Sequence, residues 1–500
     1  ISNINWIHPE TKETLQETTY TENVALTAQI ENQESSSAKI TITKEDGTEF
    51  ENGQTELAFE EEINEDGTIE LSALEIKQQW EEFKTADIDK LVAKIDHNGY
   101  QKKSSVLQVI PPPKVIVDFR PSKSYDGEYG FDYMRDKNKK DKLTYKDILG
   151  TNKTVISTTT KKKENKFTKY TTDAKYKELK CDFYDSIDID WHKNPDGSHY
   201  EYIQSWLSIY PKETQTLSLQ VETIENPKKL DLTFEYNKTL FKLNTEKIPA
   251  QSKGKKRLKD HLTIECIKEF NTDQIIKVLY GKRQLGQLNV LKNDKANRKK
   301  VEVVFVKVNT QLFSGTVKKG KTTGEDAFLK KYLTQAYIQP NIIEEVLDLT
   351  ADTTFNKTFD TKSKGYIDNR TGLHDYLNKK MDTKYKDYLK VYFIPDECPS
   401  FNKAGTKVGR VNGQAKDISS DAVVLFDGHN TSTTTHESLH ALGLYHTFSR
   451  DKNHPYSYKK GETYNIMDYS HQSRYGSKKR IMTWLWQWKK LWTNTLIKSE

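Results

Sequence analysis

The run His436-Glu437-Ser438-Leu439-His440-Ala441-Leu442-Gly443-Leu444-Tyr445-His446 constrains the fold of this chain more than any other stretch. Histidines four residues apart face one side of a helix, one turn from each other, where two imidazoles can share a metal ion. Glu437 then lies beside that ion without having to ligate it. A catalytic metal site keeps one coordination position open, so a third protein ligand is needed. His446 supplies it, provided the helix stops first. Gly443 is where the stop can occur, because glycine tolerates the left-handed backbone that terminates a helix. The competing reading is a surface helix that carries three histidines. The added offsets of Gly443 and His446 weigh against it.

The remaining residues predict a multidomain chain. Of 500 residues, 34% are hydrophobic and 30% charged, enough for several modest cores and not for one large one. Val24, Leu26, Ala28 and Ile30 alternate with polar residues, as does Lys39 to Thr43, as half-buried strands require. Turn signals follow at Glu45-Asp46-Gly47, Glu65-Asp66-Gly67 and His97-Asn98-Gly99, with a short helix expected around Ile76 to Phe83. Residues 1–110 therefore read as an Ig-like β-sandwich, closed by Val106 to Ile110. Pro111-Pro112-Pro113 reads as a stiff linker. Strands from Val115 to Val117, Tyr202 to Tyr210 and Leu217 to Val221 make 114–226 a β-rich region. Further strands at Leu232 to Tyr236, Leu262 to Cys266 and Leu288 to Val290 make 227–298 another, Ig-like one, though one domain over 114–298 fits as well.

The rhythm changes near residue 300. Val301 to Val308 is a nearly continuous apolar run, the signature of a strand buried on both faces. Thr323 is expected to cap a helix carrying Glu325 and Asp326 in its first turn, with Phe328, Tyr332, Leu333 and Ala336 at helical spacing. Strands at Ile342 to Leu349, Lys390 to Ile394 and Ala422 to Phe426, with a helix near Leu373 to Met381, predict an α/β domain over 299–500.

The motif His436-Glu437-x-x-His440-x-x-Gly443-x-x-His446 resembles the zinc signature of the metzincin metallopeptidases. Asn465-Ile466-Met467-Asp468-Tyr469-Ser470 resembles the methionine turn of that group. Together with Gly443 to Phe448, it is most similar to the pappalysin and cytophagalysin branch. Members of that branch often carry cysteines after the third histidine and after the turn; this chain has none there. The resemblance implies that His436, His440 and His446 hold Zn²⁺ as neutral imidazoles. It implies that Glu437 takes a proton from water and returns it to the leaving amine. Met467 would form a hydrophobic floor, and Tyr469 would reach the zinc or the developing oxyanion. The implied fold is an α/β zinc peptidase behind all-β Ig-like sandwich modules. The implied activity is a metalloendopeptidase acting on protein or peptide.

Other signals are weaker. His429, His454 and His471 read as solvent-facing or as loop hydrogen-bonders, while Asp427 and Asp468 are candidates to orient the imidazoles. Trp484, Trp486, Trp488 and Trp492 read as a C-terminal helix packed on the core in preference to a carbohydrate or membrane platform. The basic runs Lys161-Lys162-Lys163, Lys253 to Lys259 and Arg298-Lys299-Lys300 read as solvated, so no nucleic-acid partner is expected. The surroundings of Cys398 do not match a thiol that masks zinc, and Cys181, Cys266 and Cys398 imply no disulfide framework. No segment is apolar enough to span a bilayer, and the start at Ile1 is expected of a processed or trimmed form.

Tyr125 to Tyr133 resembles modules of bacterial contractile-injection and type VI secretion effectors. That resemblance implies a toxin-like effector, secreted or injected from a bacterial cell, whose β modules engage the secretion apparatus. Two alternatives remain open at this point: a structural or cargo component with an incidental protease domain, and a zinc amidase acting on peptidoglycan.

Overall fold

A computed structural model describes residues 1–500 apart from 21, 87, 112–113, 136–142, 160–162, 194–196, 226–231, 250, 282, 314 and 403. Most of the linker Pro111-Pro112-Pro113, the basic residues Lys161 and Lys162, and the boundary expected at 226 fall outside the described residues. The structure is mostly β. Among the described residues, no helix is long and apolar enough to cross a membrane.

The first sandwich closes where its alternating pattern demands. A sheet of Ser2–Ile7, Asn23–Gln29 and Thr68–Glu75 packs over one built around Ser37–Lys44 and Asp89–His97. Trp6, Leu26, Ile40, Ile42 and Ile95 fill the space between them. The turn at Asn98-Gly99 has positive φ at both residues (52° and 84°), as a tight hairpin requires. The short helix is 3-10, over Gln78–Phe83.

The strands between Val115 and Val290 build one second sandwich, the alternative to a split at 226. One sheet runs Val115–Pro121, Thr214–Thr223, Gly254–Cys266, Phe241–Leu243. The facing sheet runs Gly130–Asp132, Ser205–Ser208, Arg283–Val290, Gln274–Tyr280, Leu232–Glu235, Lys247–Ile248. Strands from 114–226 and from 227–298 thus alternate inside the same two sheets. Leu217 pairs with Leu262, and Val221 with Lys256, across the expected boundary. Strand alternation marks each strand and carries no information about its partner.

A long excursion leaves this sandwich between Asp132 and Ser205. It contains the helix Ala174–Phe183 and the hairpin of Gly150–Ile156 with Lys163–Lys169. It packs on the C-terminal region, where Tyr145, Ile148, Leu179 and Tyr184 share one core with Val303, Leu439 and Trp484. The core behind the histidines is therefore not confined to 299–500.

In the C-terminal region, Lys299–Thr310 is central and pairs in parallel with Ile338–Asp348 and Leu389–Phe393. Ala422–Leu425 follows in parallel, and Gly413–Ala415 ends the sheet antiparallel. Val303 and Phe305 face the helices Glu325–Gln335 and Thr431–Ala441. Val304 and Val306 face Thr353–Phe359 and Leu373–Lys380 on the other side. This explains the nearly continuous apolar run: both faces are covered. The helix at Glu325 is not capped by Thr323. Its N-cap is Gly324, at φ +79°. Glu325 is buried and accepts from Thr434 Oγ1, which ties this helix to the histidine helix. Trp484 and Trp488 are fully buried around the helix Leu485–Leu491, and Trp492 Nε1 donates to the Ala336 carbonyl at 2.7 Å.

Asp132 joins three of these parts. Its Oδ2 accepts from Tyr184 of the excursion (2.6 Å) and from the Leu485 amide (2.8 Å). Its Oδ1 is buried, with no hydrogen-bond partner among the described residues. Burial pushes the Asp132 carboxyl up from 3.8 to about 7, with the Tyr184 bond opposing the shift. Between those values the folded state holds a proton that the unfolded chain has lost, so this group's contribution to stability falls as pH rises through that window. Asp132→Asn, whose amide is neutral, is expected to raise the thermal midpoint more at pH 8 than at pH 5. An equal shift at both pH values in a melting experiment contradicts this.

Candidate metal centre

The helix Thr431–Ala441 begins at Asn430, whose side chain accepts from the Thr433 amide at 3.1 Å. Its hydrogen bonding lapses at Leu442, and Gly443 takes φ +113°. A Cβ at Gly443 would stand 3.0 Å from Ser419 Oγ, a tight contact, but it is the positive φ that favours glycine. The chain then reverses and returns His446 to the helix.

The expected ligands meet there. His446 Nε2 lies 3.0 Å from His436 Nε2 and 3.1 Å from His440 Nε2. All three ligand atoms lie within 4.8 Å of one another. Two of the rings are held by backbone carbonyls. His436 Nδ1 donates to Ile466 O at 3.0 Å, and His440 Nδ1 to Leu444 O at 2.6 Å. With hydrogen on Nδ1, both Nε2 atoms point lone pairs inward. With the His446 hydrogen also on Nδ1, a third lone pair would converge on the same point, where a cation could sit. Tetrahedral zinc at ordinary zinc–nitrogen lengths places its nitrogens about 3.3 Å apart, so this donor set fits zinc. Burial holds the rings neutral: it drives His436 well below its usual range, His440 to about 4 and His446 to about 2.

The carboxylates expected to orient the rings do not. Asp468 accepts from the amides of Gly461 (2.8 Å), Thr463 (2.9 Å) and Tyr469 (2.7 Å), and so shapes the turn. Asp427 donates its amide to the Asp396 carbonyl. The reason is steric economy: the chain already passes beneath the rings, so its carbonyls reach Nδ1 first.

Glu437 is next to the ligands, and its Oε2 accepts from the Ala415 amide at 2.9 Å. Burial pushes its carboxyl up to about 7, against that bond. Ala415 belongs to the edge strand, which presses on the helix at Gly413, where a Cβ would meet Glu437 Cγ at 3.1 Å. Met467 is fully buried. Its amide donates to Asn465 Oδ1 (2.9 Å), and Asn465 Nδ2 donates to Gln487 of the C-terminal helix (2.7 Å). The ring of Tyr469 lies 4.9 Å from that of His446 and 5.9 Å from that of His436.

Several contributors escape a reading by spacing. Phe448 stacks on His446 at 4.9 Å with the planes 8° apart. Lys460 Nζ stands 4.5 Å from the Phe448 ring and 4.6 Å from the Tyr469 ring. Burial and the nearby Arg474 charge lower its pKa. Phe448 directly follows Thr447 after the motif, a nearness that offered a clue; Ala415 and Gln487 left none. Of the other histidines, His454 is buried and faces the Thr447 carbonyl (3.2 Å), His429 meets Glu325 (3.4 Å), and His471 is exposed. Cys398 is buried among Val304, Ile394 and Phe426, across the sheet from the histidines. Lys255, Lys256 and Arg257 lie exposed on a strand, whereas Arg298 is buried against Glu269 and Glu500.

No family model matches the chain, and no curated protein matches it. Among solved structures it is similar to Escherichia coli alpha-2-macroglobulin over 56% of its own length, at 9% identity and TM-score 0.17. It spans only 16% of that chain. It is also similar to the C-terminal domain of the Streptococcus agalactiae AgI/II polypeptide BspA, at 8% identity and TM-score 0.19, covering 57% of this chain and 98% of that one. Likenesses this shallow define neither architecture nor chemistry.

Gly443→Ala forces a side chain onto a positive φ, at a cost of about 1–3 kcal/mol. It is expected to weaken zinc retention in a chelator competition by about tenfold or more. Retention equal to that of the parent protein would show that the break does not position His446.

Proposed function

We propose that the chain is a zinc metalloendopeptidase of the metzincin type, with an α/β catalytic domain and Ig-like sandwich modules in front of it. The observation that carries the reading is the convergence of three neutral imidazole Nε2 atoms beside a half-buried carboxyl. His436, His440 and His446 would hold the metal. Bound there, zinc supplies the Lewis acidity that activates water and polarises an amide carbonyl.

The rest falls to the protein's own groups. Glu437 exchanges the proton: the Ala415 amide occupies Oε2, leaving Oε1 to receive a proton from the attacking water and return it to the leaving amine. Burial favours the protonated form of this carboxyl and would oppose the pull of a bound dication towards the ionised form. The Nδ1 bonds to Ile466 and Leu444 keep the ligand rings in one tautomer through the cycle. Tyr469, whose ring packs against His446, would donate to an oxyanion.

The biological setting we propose is that of a bacterial effector, secreted or injected, whose sandwich modules serve delivery or docking. Its support is the sequence resemblance at Tyr125 to Tyr133 alone. In the structure this stretch is a buried corner: Tyr125 donates to the Tyr129 carbonyl at 2.7 Å, and Phe131 sits in the sandwich core.

Glu437→Gln is expected to retain one zinc per chain and to lose about 10²- to 10⁴-fold in casein hydrolysis. Metal content by mass spectrometry and cleavage by gel read the two arms. A parent protein that carries no stoichiometric zinc would sink the catalytic reading. Cleavage of peptidoglycan but not casein would transfer it to an amidase.

A further inference from the structure

A cavity of about 1070 Å³ is lined in part by Phe448, the ring that stacks on His446. One wall is the hairpin of the excursion, through Asn152 and Phe167; the other is the stretch after the third histidine, from Phe448 to Tyr475. The excursion is fastened there by hydrogen bonds onto backbone carbonyls. The Gly150 amide donates to Ser457 O (3.0 Å), the Lys459 amide to Ile148 O (2.7 Å), and Asn152 Nδ2 to Tyr458 O (2.8 Å).

The charge in this cavity is unbalanced. Arg450, Lys459, Lys460 and Arg474 line it, against Glu164 and Glu462. Glu462 is committed to Lys459 (3.2 Å) and Lys478 (2.9 Å). Among the described residues, no carboxylate lies within ion-pair distance of Arg450, Lys460 or Arg474. Lys460 is the telling one. It is half-buried, and its ammonium rests on the rings of Phe448 and Tyr469, the two that flank His446. A clustered, part-desolvated set of cations stores repulsion that an incoming anion relieves.

We infer that this cavity is a substrate subsite for a carboxylate, with Lys460 as the specificity-determining residue and Arg474 and Arg450 at its rim. The inference rests on the peptidase reading and narrows its substrate class. The preferred peptides carry Asp or Glu at one fixed position from the cut bond, or place their own C-terminal carboxylate there. The distance from Lys460 to the ligands, two ring contacts, puts that position close to the scissile bond. The sandwich excursion would then take part in substrate selection, since it forms one wall.

The test uses the zinc-loaded full chain. A mixed peptide library is digested and the cuts are read by mass spectrometry. Matched synthetic peptides then compare an internal Asp with an amidated C-terminus, an internal Lys with an amidated C-terminus, and neutral residues with a free C-terminus. The expected result is enrichment of Asp or Glu at one position, or of cuts near free C-termini, with the three synthetic peptides telling which carboxylate is read. Lys460→Gln is expected to lower the acidic-over-lysine ratio of kcat/KM by about ten- to a hundredfold, the worth of one charge-assisted contact. Lys460→Glu combined with Arg474→Glu is expected to invert the ratio. Cuts with no acidic or terminal preference, or a ratio that the Lys460 variants leave unchanged, overturn the inference and leave the peptidase reading intact. A zinc-loaded chain that cuts no peptide overturns both.

Discussion

Two hydrogen bonds, from His436 Nδ1 to the Ile466 carbonyl and from His440 Nδ1 to the Leu444 carbonyl, decide what the rest of the centre can be. A neutral imidazole carries one hydrogen and one lone pair, and placing the hydrogen on Nδ1 leaves Nε2 free to ligate. The carbonyl of Ile466 sits next to Met467 and that of Leu444 next to the break at Gly443. The tautomers are therefore set by the backbone of the two segments that flank the helix. Shifting either segment would cost the lone-pair geometry before it cost a hydrophobic contact.

The support for those segments runs outward in layers. Asn465 links the turn to Gln487 of the C-terminal helix, and Asp468 gathers three amides around it. The C-terminal helix starts on Asp132 of the second sandwich, which Tyr184 of the excursion also meets. The parts that read as separate modules along the chain thus share one connected support. Named hydrogen bonds connect the sandwich edge at Asp132 to the segment beneath the three histidines.

Electrostatics divides the site into two halves. Around the histidines, burial removes charge: the rings are held neutral and Glu437 is pushed towards neutrality. Around Phe448 and Tyr469, charge is gathered instead, with Lys460 and Arg474 side by side. A site that strips charge at one end and concentrates it at the other orients a polar, anionic substrate more readily than an apolar one.

The sequence by itself determined the local pieces. Spacing alone placed His436 and His440 on one helical face, required a break at Gly443, and marked Lys299–Thr310 as a doubly buried strand. These are consequences of period and of glycine's φ, which act within a few residues. Tertiary structure decided everything that depends on a partner. It interleaved strands from both sides of residue 226, because alternation says which face is buried and not which strand lies alongside. It replaced Asp427 and Asp468 with carbonyls as the holders of the imidazoles, and Thr323 with Gly324 at a helix start. It also brought a hairpin from near residue 160 against the loop after residue 448, a contact between segments whose separation along the chain leaves no periodic trace.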